Sequence, residues 1–423
     1  MTEEATTQQN FRSYLLFWSG QLFSILGSSV TQFVIVWWLT IITGSPIILS
    51  IASFLYVLPL TITFLIGGVI SDKFDRKRII IVVDSLQAFV TLLLIILFNF
   101  ELINPLLVII INGILGTFQG FHIPTVSAIV PTMVPKDKLS RMNGINFLFT
   151  SFVQMIGPII AATFLSFIPI KTILWIDPIT FLIAIIPLLL IKIPSVKAEI
   201  IQEKKTSFIE DLKIGFRTLK LIPIIFMMLL VAMFVNFLWR PFSILLSYFI
   251  YFDHPGTISD LAFILAFLNG GMFLGAIITS VKKKWKHGIF IYFIGESLLM
   301  VAYLVIAITP YGWFLLIGFA AGMFGLFVPI INTIYLTIMQ LKVSADKMGR
   351  ISSIDYAISS AITPIGTILS GPLAEIFGVA NLFFYCSIIG IIITLILWGI
   401  THLVTKNNKV HKSKMDINRD LLE

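Results

Sequence analysis

The stretch GGVISDKFDRKR, residues 67–78, sets two acids and four bases within seven consecutive positions, between two apolar runs of a chain that is 58% hydrophobic. Soluble proteins carry about 25% charged residues. This chain of 423 residues carries 12%, with a mean hydropathy of +1.01. Charge so scarce elsewhere and so concentrated here marks a loop that turns the chain between two membrane crossings.

Outward from that loop, apolar runs near or above the roughly 20 residues needed to cross a bilayer as a helix recur along the chain. They predict twelve crossings, over 14–41, 47–70, 79–99, 106–131, 143–168, 172–191, 223–251, 259–281, 288–308, 313–339, 350–370 and 380–405. The runs lack the period-two alternation of a barrel, so the fold class is all-α. The opening MTEEATTQQN is acidic and polar. Without the basic leader of a secretory signal, the first run is expected to stay as a span.

The bases give the orientation. Segments on the side of the loop at 72–78 hold 27 of the 29 Lys and Arg residues; the other side keeps Lys171, and Arg240 falls inside a run. The positive-inside rule then places both termini in the cytoplasm of a multi-pass cell-membrane protein. Anionic lipid headgroups account for the net charge of +8, with no need of nucleic acid. Trp37, Trp38, Trp175 and Trp313 fall near one interface and Trp18, Trp285 and Trp398 near the other, as an aromatic belt. Cys386 is the single cysteine, which rules out an intrachain disulfide and a thiol metal site. A monomer without cofactor is the expected unit.

A shift of 209 residues lays PKDKLSRMN at 135 over SADKMGRIS at 344, and pairs Gly113 with Gly322, Gly116 with Gly325, Gly157 with Gly366 and Pro46 with Pro255. One offset linking several loops and helices implies a duplication. The expected organisation is a six-helix bundle over 1–191, a cytoplasmic linker over 192–222, a second six-helix bundle over 223–405 and a basic tail over 406–423. Phe208, Ile209, Leu212, Phe216 and Leu219 give the linker an amphipathic helix. Two such halves can hold a small molecule between them and rock around it.

The loop GVISDKFDRKR resembles the G-x-x-x-D-R/K-x-G-R-R/K loop of the major facilitator superfamily, with Gly68, Asp72, Lys73, Arg76, Lys77 and Arg78 matching and Asp75 in place of the usual glycine. IVVDSLQAF, VPKDKLSRMNGIN, WIDPITFL and FIEDLKIGFRTLKLIP are similar to its macrolide-efflux-like branch, which also includes siderophore and lysophospholipid transporters. The resemblance implies a conformational latch, in which Asp72 of the loop reaches Arg350 at the start of the eleventh helix, a helix N-terminus that favours a carboxylate. In the fifth helix, FVQMIGPIIAATF keeps only Gly157 and Pro158 of the exporter glycine pattern; small residues there allow close helix approach. The fourth helix lacks the arginine that many proton-coupled relatives carry, and offers Asn112 and Gln119.

The family lines its cavity with helices one, four, seven and ten. Gln21, Ser24, Ser28 and Gln32 form one face of the first; Asn112 and Gln119 lie on the fourth, Asn236 and Arg240 on the seventh, Asn332 on the tenth. Each of these polar groups fits either cavity lining or bonding between helices, and Arg240 fits either a substrate anion or a structural ion pair. Acids at membrane depth are the natural carriers of a coupling proton. They are Asp84, Asp177, Glu296 and Asp355. Asp84 and Asp177, near helix ends, also fit structural pairing, and a lone His122 beside Pro124 reads as packing. The expected function is a secondary transporter, a proton-coupled exporter of amphipathic small molecules such as macrolides. The alternatives are a siderophore or lysophospholipid carrier, or a non-transporting membrane sensor or partner. No G-x-x-x-x-G-K-[ST] phosphate loop and no catalytic constellation occurs, so an enzyme is not expected.

Overall fold

The computed structural model describes residues 3–135, 137–193, 222–282, 285–343 and 345–420, with side chains described except at 3–9, 140, 345–350, 352–354, 356–361 and 404–420. The chain is a run of long helices: α1 (Glu3–Thr43), α2 (Pro46–Lys73), α3 (Arg76–Asn99), α4 (Pro105–Met133), α5 (Leu139–Leu165), α6 (Ile176–Leu190), α7 (Pro223–Tyr248), α8 (Ile258–Val281), α9 (Gly288–Ile308), α10 (Phe314–Lys342), α11 (Ala345–Phe377) and α12 (Val379–Asp420). A helical turn, Ile170–Ile173, precedes α6, and a π-helical turn, Phe249–Asp253, ends α7. Among the described residues, eleven helices are long and apolar enough to span a membrane, and α11 adds the apolar stretch Ile362–Phe377. The linker reading over 192–222 lies almost wholly outside the described residues. α12 continues past its apolar span as helix to Asp420.

Local chemistry sets the helix starts. Pro46 and Pro105 open α2 and α4 behind the N-caps Ser45 and Asn104, whose side chains accept the N–H groups of Ile48 and Leu107. Asp75 caps α3 in the same way, accepting from the Arg78 N–H at 2.9 Å with φ −64. That backbone is open to any residue, so the turn needs no glycine. The loop bases are tied into the first bundle: Arg76 donates to the carbonyls of Ala128 and Ser71, and the Lys77 ammonium caps the end of α6 through Leu189 O and Ile191 O.

α2 packs on α4 and α8 on α10, the same pairing in each half. A Cβ at Gly116 would stand 2.3 Å from Tyr56 O, and one at its repeat mate Gly325 2.0 Å from Leu268 O. Backbones this close hold the helix pairs by dispersion over a long seam. The halves meet along α2 with α11 and α5 with α8. At one end of the molecule the seam is shut. Thr40 and Ser247 share a hydrogen bond of 2.7 Å, the Trp37 and Tyr251 rings meet edge to face at 5.4 Å, and Gly371 lies against Pro46, Ile47 and Ser50. At the other end, Val69, Asp72, Phe74, Val281 and Leu341 are exposed.

The shut end carries a buried histidine. His254, just beyond the π-helical turn, is buried among the rings of Phe249, Tyr311 and Phe314, and its Nδ1 accepts the Gly312 N–H. Burial pushes its pKa below the ordinary histidine value. A folded-state value depressed below the unfolded one contributes stability that is full above roughly pH 6.5 and lost as pH falls through the folded value. Thermal stability of the purified protein is expected to drop between pH 7.5 and 5, and His254→Gln to flatten that part of the profile.

Candidate functional site

On the seam between the bundles lies a cavity of about 410 Å3, closed toward Thr40 and Ser247. One wall is the polar face of α1: Gln21, Ser24, Ser28 and Gln32 all line it. Gln119 and His122 of α4, Gln87 of α3 and Pro158 of α5 complete the first bundle's side, and Ser243 and Ser247 of α7 face them from the second. The walls carry amides, hydroxyls and apolar side chains, with His122 the only titratable group among the described residues that line them.

Behind this wall sit two of the acids. Asp84 is buried, its Oδ1 3.3 Å from His122 Nε2, and the same nitrogen is 3.1 Å from Gln21 Oε1. Asp177 accepts from Ser28 at 3.0 Å and Thr91 at 2.8 Å. Asp84 thus stands within ion-pair distance, and Asp177 one hydrogen bond, of a side chain that lines the cavity. The other two acids, Glu296 and Asp355, line a second cavity within the C-terminal bundle, and Asn236 and Asn332 line it too.

For three residues the structure narrows the alternatives. Asn112 is buried and donates to Ala52 O at 3.2 Å, so it joins α4 to α2 and lines neither of these cavities, because its neighbours Gly113 and Gly116 pull that face of α4 onto α2. Arg240 also lies outside both. Its guanidinium bonds Thr363 at 3.2 Å and its stem packs over Gly366, which places it between α7 and α11, with no carboxylate within ion-pair reach among the described residues. His122 is more than packing, since it bridges Asp84 and the cavity wall. Gly157 brings α5 against Ser29 of α1, which leaves Pro158 at the cavity.

The latch is half described. Asp72 is largely exposed and pairs with Arg76 at 3.5 Å; the Arg350 side chain lies outside the described residues. Gly68 has open space around it. Sequence reasoning passed over Gln87, which donates to Gln119 at 3.1 Å, and Gln154 of α5, which lines the seam. The signal for Gln87 was its place one turn after Asp84 on the same helix.

Two helical bundles around a cavity of mixed polar and apolar walls, shut at one end, have the architecture of a membrane transporter. A model of the Major Facilitator Superfamily matches residues 17–367, and the chain belongs to that superfamily. Macrolide efflux protein A of Streptococcus pyogenes is 29% identical over 373 residues, 86% of this chain and 90% of that one. The Staphyloferrin A transporter of Staphylococcus aureus is 23% identical over 91% of this chain and 95% of its own. Among solved structures, a POT family transporter in complex with 5-aminolevulinic acid superposes with a TM-score of 0.72 at 14% identity, over 95% of this chain and all of that one. A bacterial homologue of the iron transporter ferroportin in an inward-facing state gives 0.67 at 14% identity, over 92% and 98%. At such identities the structures speak for the fold.

Proposed function

We propose that the protein exports amphipathic small molecules, of the macrolide kind named for its relatives, in exchange for protons. The observation that carries this reading is the seam cavity, whose polar wall on α1 faces Ser243 and Ser247 of the other half across the path on which the bundles would part. The basic loops put the exposed end in the cytoplasm, so the shut end faces outward and the conformation is open to the inside. Lipid on the outer surface and a single chain suffice for such a cycle. In the opposite conformation Asp72 leaves Arg76 and closes on the start of α11 near Arg350.

The cavity walls favour this cargo over an anionic siderophore. Among the described residues no base other than His122 lines the cavity, and the buried acids Asp84 and Asp177 sit behind it. These two, with Glu296 and Asp355, are the groups proposed to pass the coupling proton. A proton crossing about 100 mV releases roughly 2.3 kcal/mol, which supports an accumulation of about fiftyfold per proton. No nucleotide site is required.

Uptake of a labelled macrolide into energised everted vesicles tests the reading. Wild-type protein is expected to accumulate it, a protonophore to abolish accumulation, and Asp72→Asn to lower the rate by about tenfold through loss of the latch. Folded protein that moves no macrolide under a proton gradient overturns the proposal.

A further inference from the structure

The second cavity, about 340 Å3, lies within the C-terminal bundle among α7, α9, α10 and α11. Its edge is formed by the exposed Asn236, Asn332 and Leu336, and its depth by Glu296, which is only 4% exposed. Asp355 of α11, partly buried, accepts the hydroxyl of Tyr335. Tyr292 stands between the two acids, one turn before Glu296 and with its ring 6.2 Å from that of Tyr335. Trp239 lines the cavity stacked on Phe324 at 3.9 Å. Among the described residues no Lys, Arg or His lines this cavity or pairs with either acid. A carboxylate removed from water without a counter-cation is costly in a membrane interior, and such groups mark binding sites and ion paths.

The duplication provides the comparison that separates packing from function. The offset of 209 lays Glu296 over Gln87 and Asp355 over Asn146. In the first bundle those positions are neutral amides: Gln87 donates to Gln119, and Asn146 accepts from the Trp18 indole at 2.8 Å beside a cavity of about 430 Å3. The fold thus builds both positions with groups of the same shape and no charge. The acids of the second bundle are additions to the packing requirement, placed together in a space lined by aromatic rings.

We propose that this cavity binds an organic cation, a protonated or quaternary amine carried on an apolar body. Glu296 and Asp355 take the charge, while the faces of Trp239, Tyr292 and Tyr335 surround its alkyl shell by cation–π attraction. Asn236 and Asn332 at the edge take polar groups of the remainder. The site is distinct from the seam cavity but shares with the export reading the acids Glu296 and Asp355, which take either a proton or the cation; it rests on that reading in taking its occupant to be cargo.

The test uses the purified full-length chain in zwitterionic nanodiscs, where no transport occurs, so its outcome is separate from that of the vesicle assay. Labelled tetraphenylphosphonium is expected to bind saturably and to be displaced by excess benzyltrimethylammonium but not by toluenesulfonate. Glu296→Gln with Asp355→Asn is expected to weaken binding by about tenfold or more, whereas the same pair of changes leaves volume unaltered. A photoreactive quaternary ammonium on the wild-type protein, which needs no variant to fold, is expected to label peptides of α9–α11. Binding unchanged in the double variant, or wild-type labelling confined to α1, α4 and α5, overturns the proposal.

Discussion

Oxidation of a protein carrying Thr40→Cys and Ser247→Cys is expected to abolish export, and reduction to restore it. The two hydroxyls lie 2.7 Å apart on α1 and α7, one from each half, so sulfurs on the same Cβ atoms come within reach of the 2.05 Å bond of a disulfide. Cys386 is the only native cysteine and is buried, so it offers no competing partner. In the proposed orientation, a covalent link at this end holds the halves in the inward-open arrangement. Cargo can still enter from the inside but cannot leave to the outside, so vesicle uptake falls to background while binding in detergent persists. Each single substitution removes one hydrogen bond worth about 1 kcal/mol and is expected to keep most of the activity. Unimpaired uptake by the fully cross-linked protein would mean that this end never opens, and the rocking mechanism would fail with it.

Much of this architecture was legible in the sequence because the membrane leaves the chain few choices. Spans of 20 or more apolar residues, a base-rich loop at 72–78 and an offset of 209 each survive any detail of side-chain packing. The polar face of α1 was equally legible, since Gln21, Ser24, Ser28 and Gln32 repeat at helical spacing and all four line the seam. What one helix cannot announce is which neighbour its polar group meets. Asn112 and Gln119 share α4, yet the glycines near Asn112 draw it into the α2 contact while Gln119 reaches the cavity. Arg240 has the same ambiguity: its position on α7 was readable, but its turn toward Thr363 depends on where Gly366 of α11 allows its stem to lie. The pairing of His122 with Asp84 joins residues 38 apart in number on separate helices, and only the packing of α3 on α4 reveals it.

Gly325→Ala is expected to have a larger effect on stability than any exchange at the cavities. A methyl there would stand 2.0 Å from Leu268 O, 3.0 Å from Leu268 C and 3.1 Å from Met272 N. All three are backbone atoms of α8, so no side chain can turn aside and the two helices must separate along their seam. Alanine would improve local helix propensity by about 1 kcal/mol. Forced separation of a close-packed pair costs about 3 kcal/mol, with the loss of dispersion along the seam added to it, so the steric effect prevails. Two glycines serve as controls. Gly322→Ala, one turn earlier on α10, meets Phe267 O at 3.3 Å and is expected to cost little; Gly68→Ala, with nothing within 4 Å, is expected to hold or slightly raise stability. Size-exclusion profiles after graded heating would rank them, with Gly325→Ala losing monodisperse protein at the lowest temperature. Equal melting of Gly325→Ala and wild type would show that α8 and α10 tolerate separation. The long glycine seam would then have to be explained by motion between those helices, and the C-terminal bundle could no longer be treated as one rocking body.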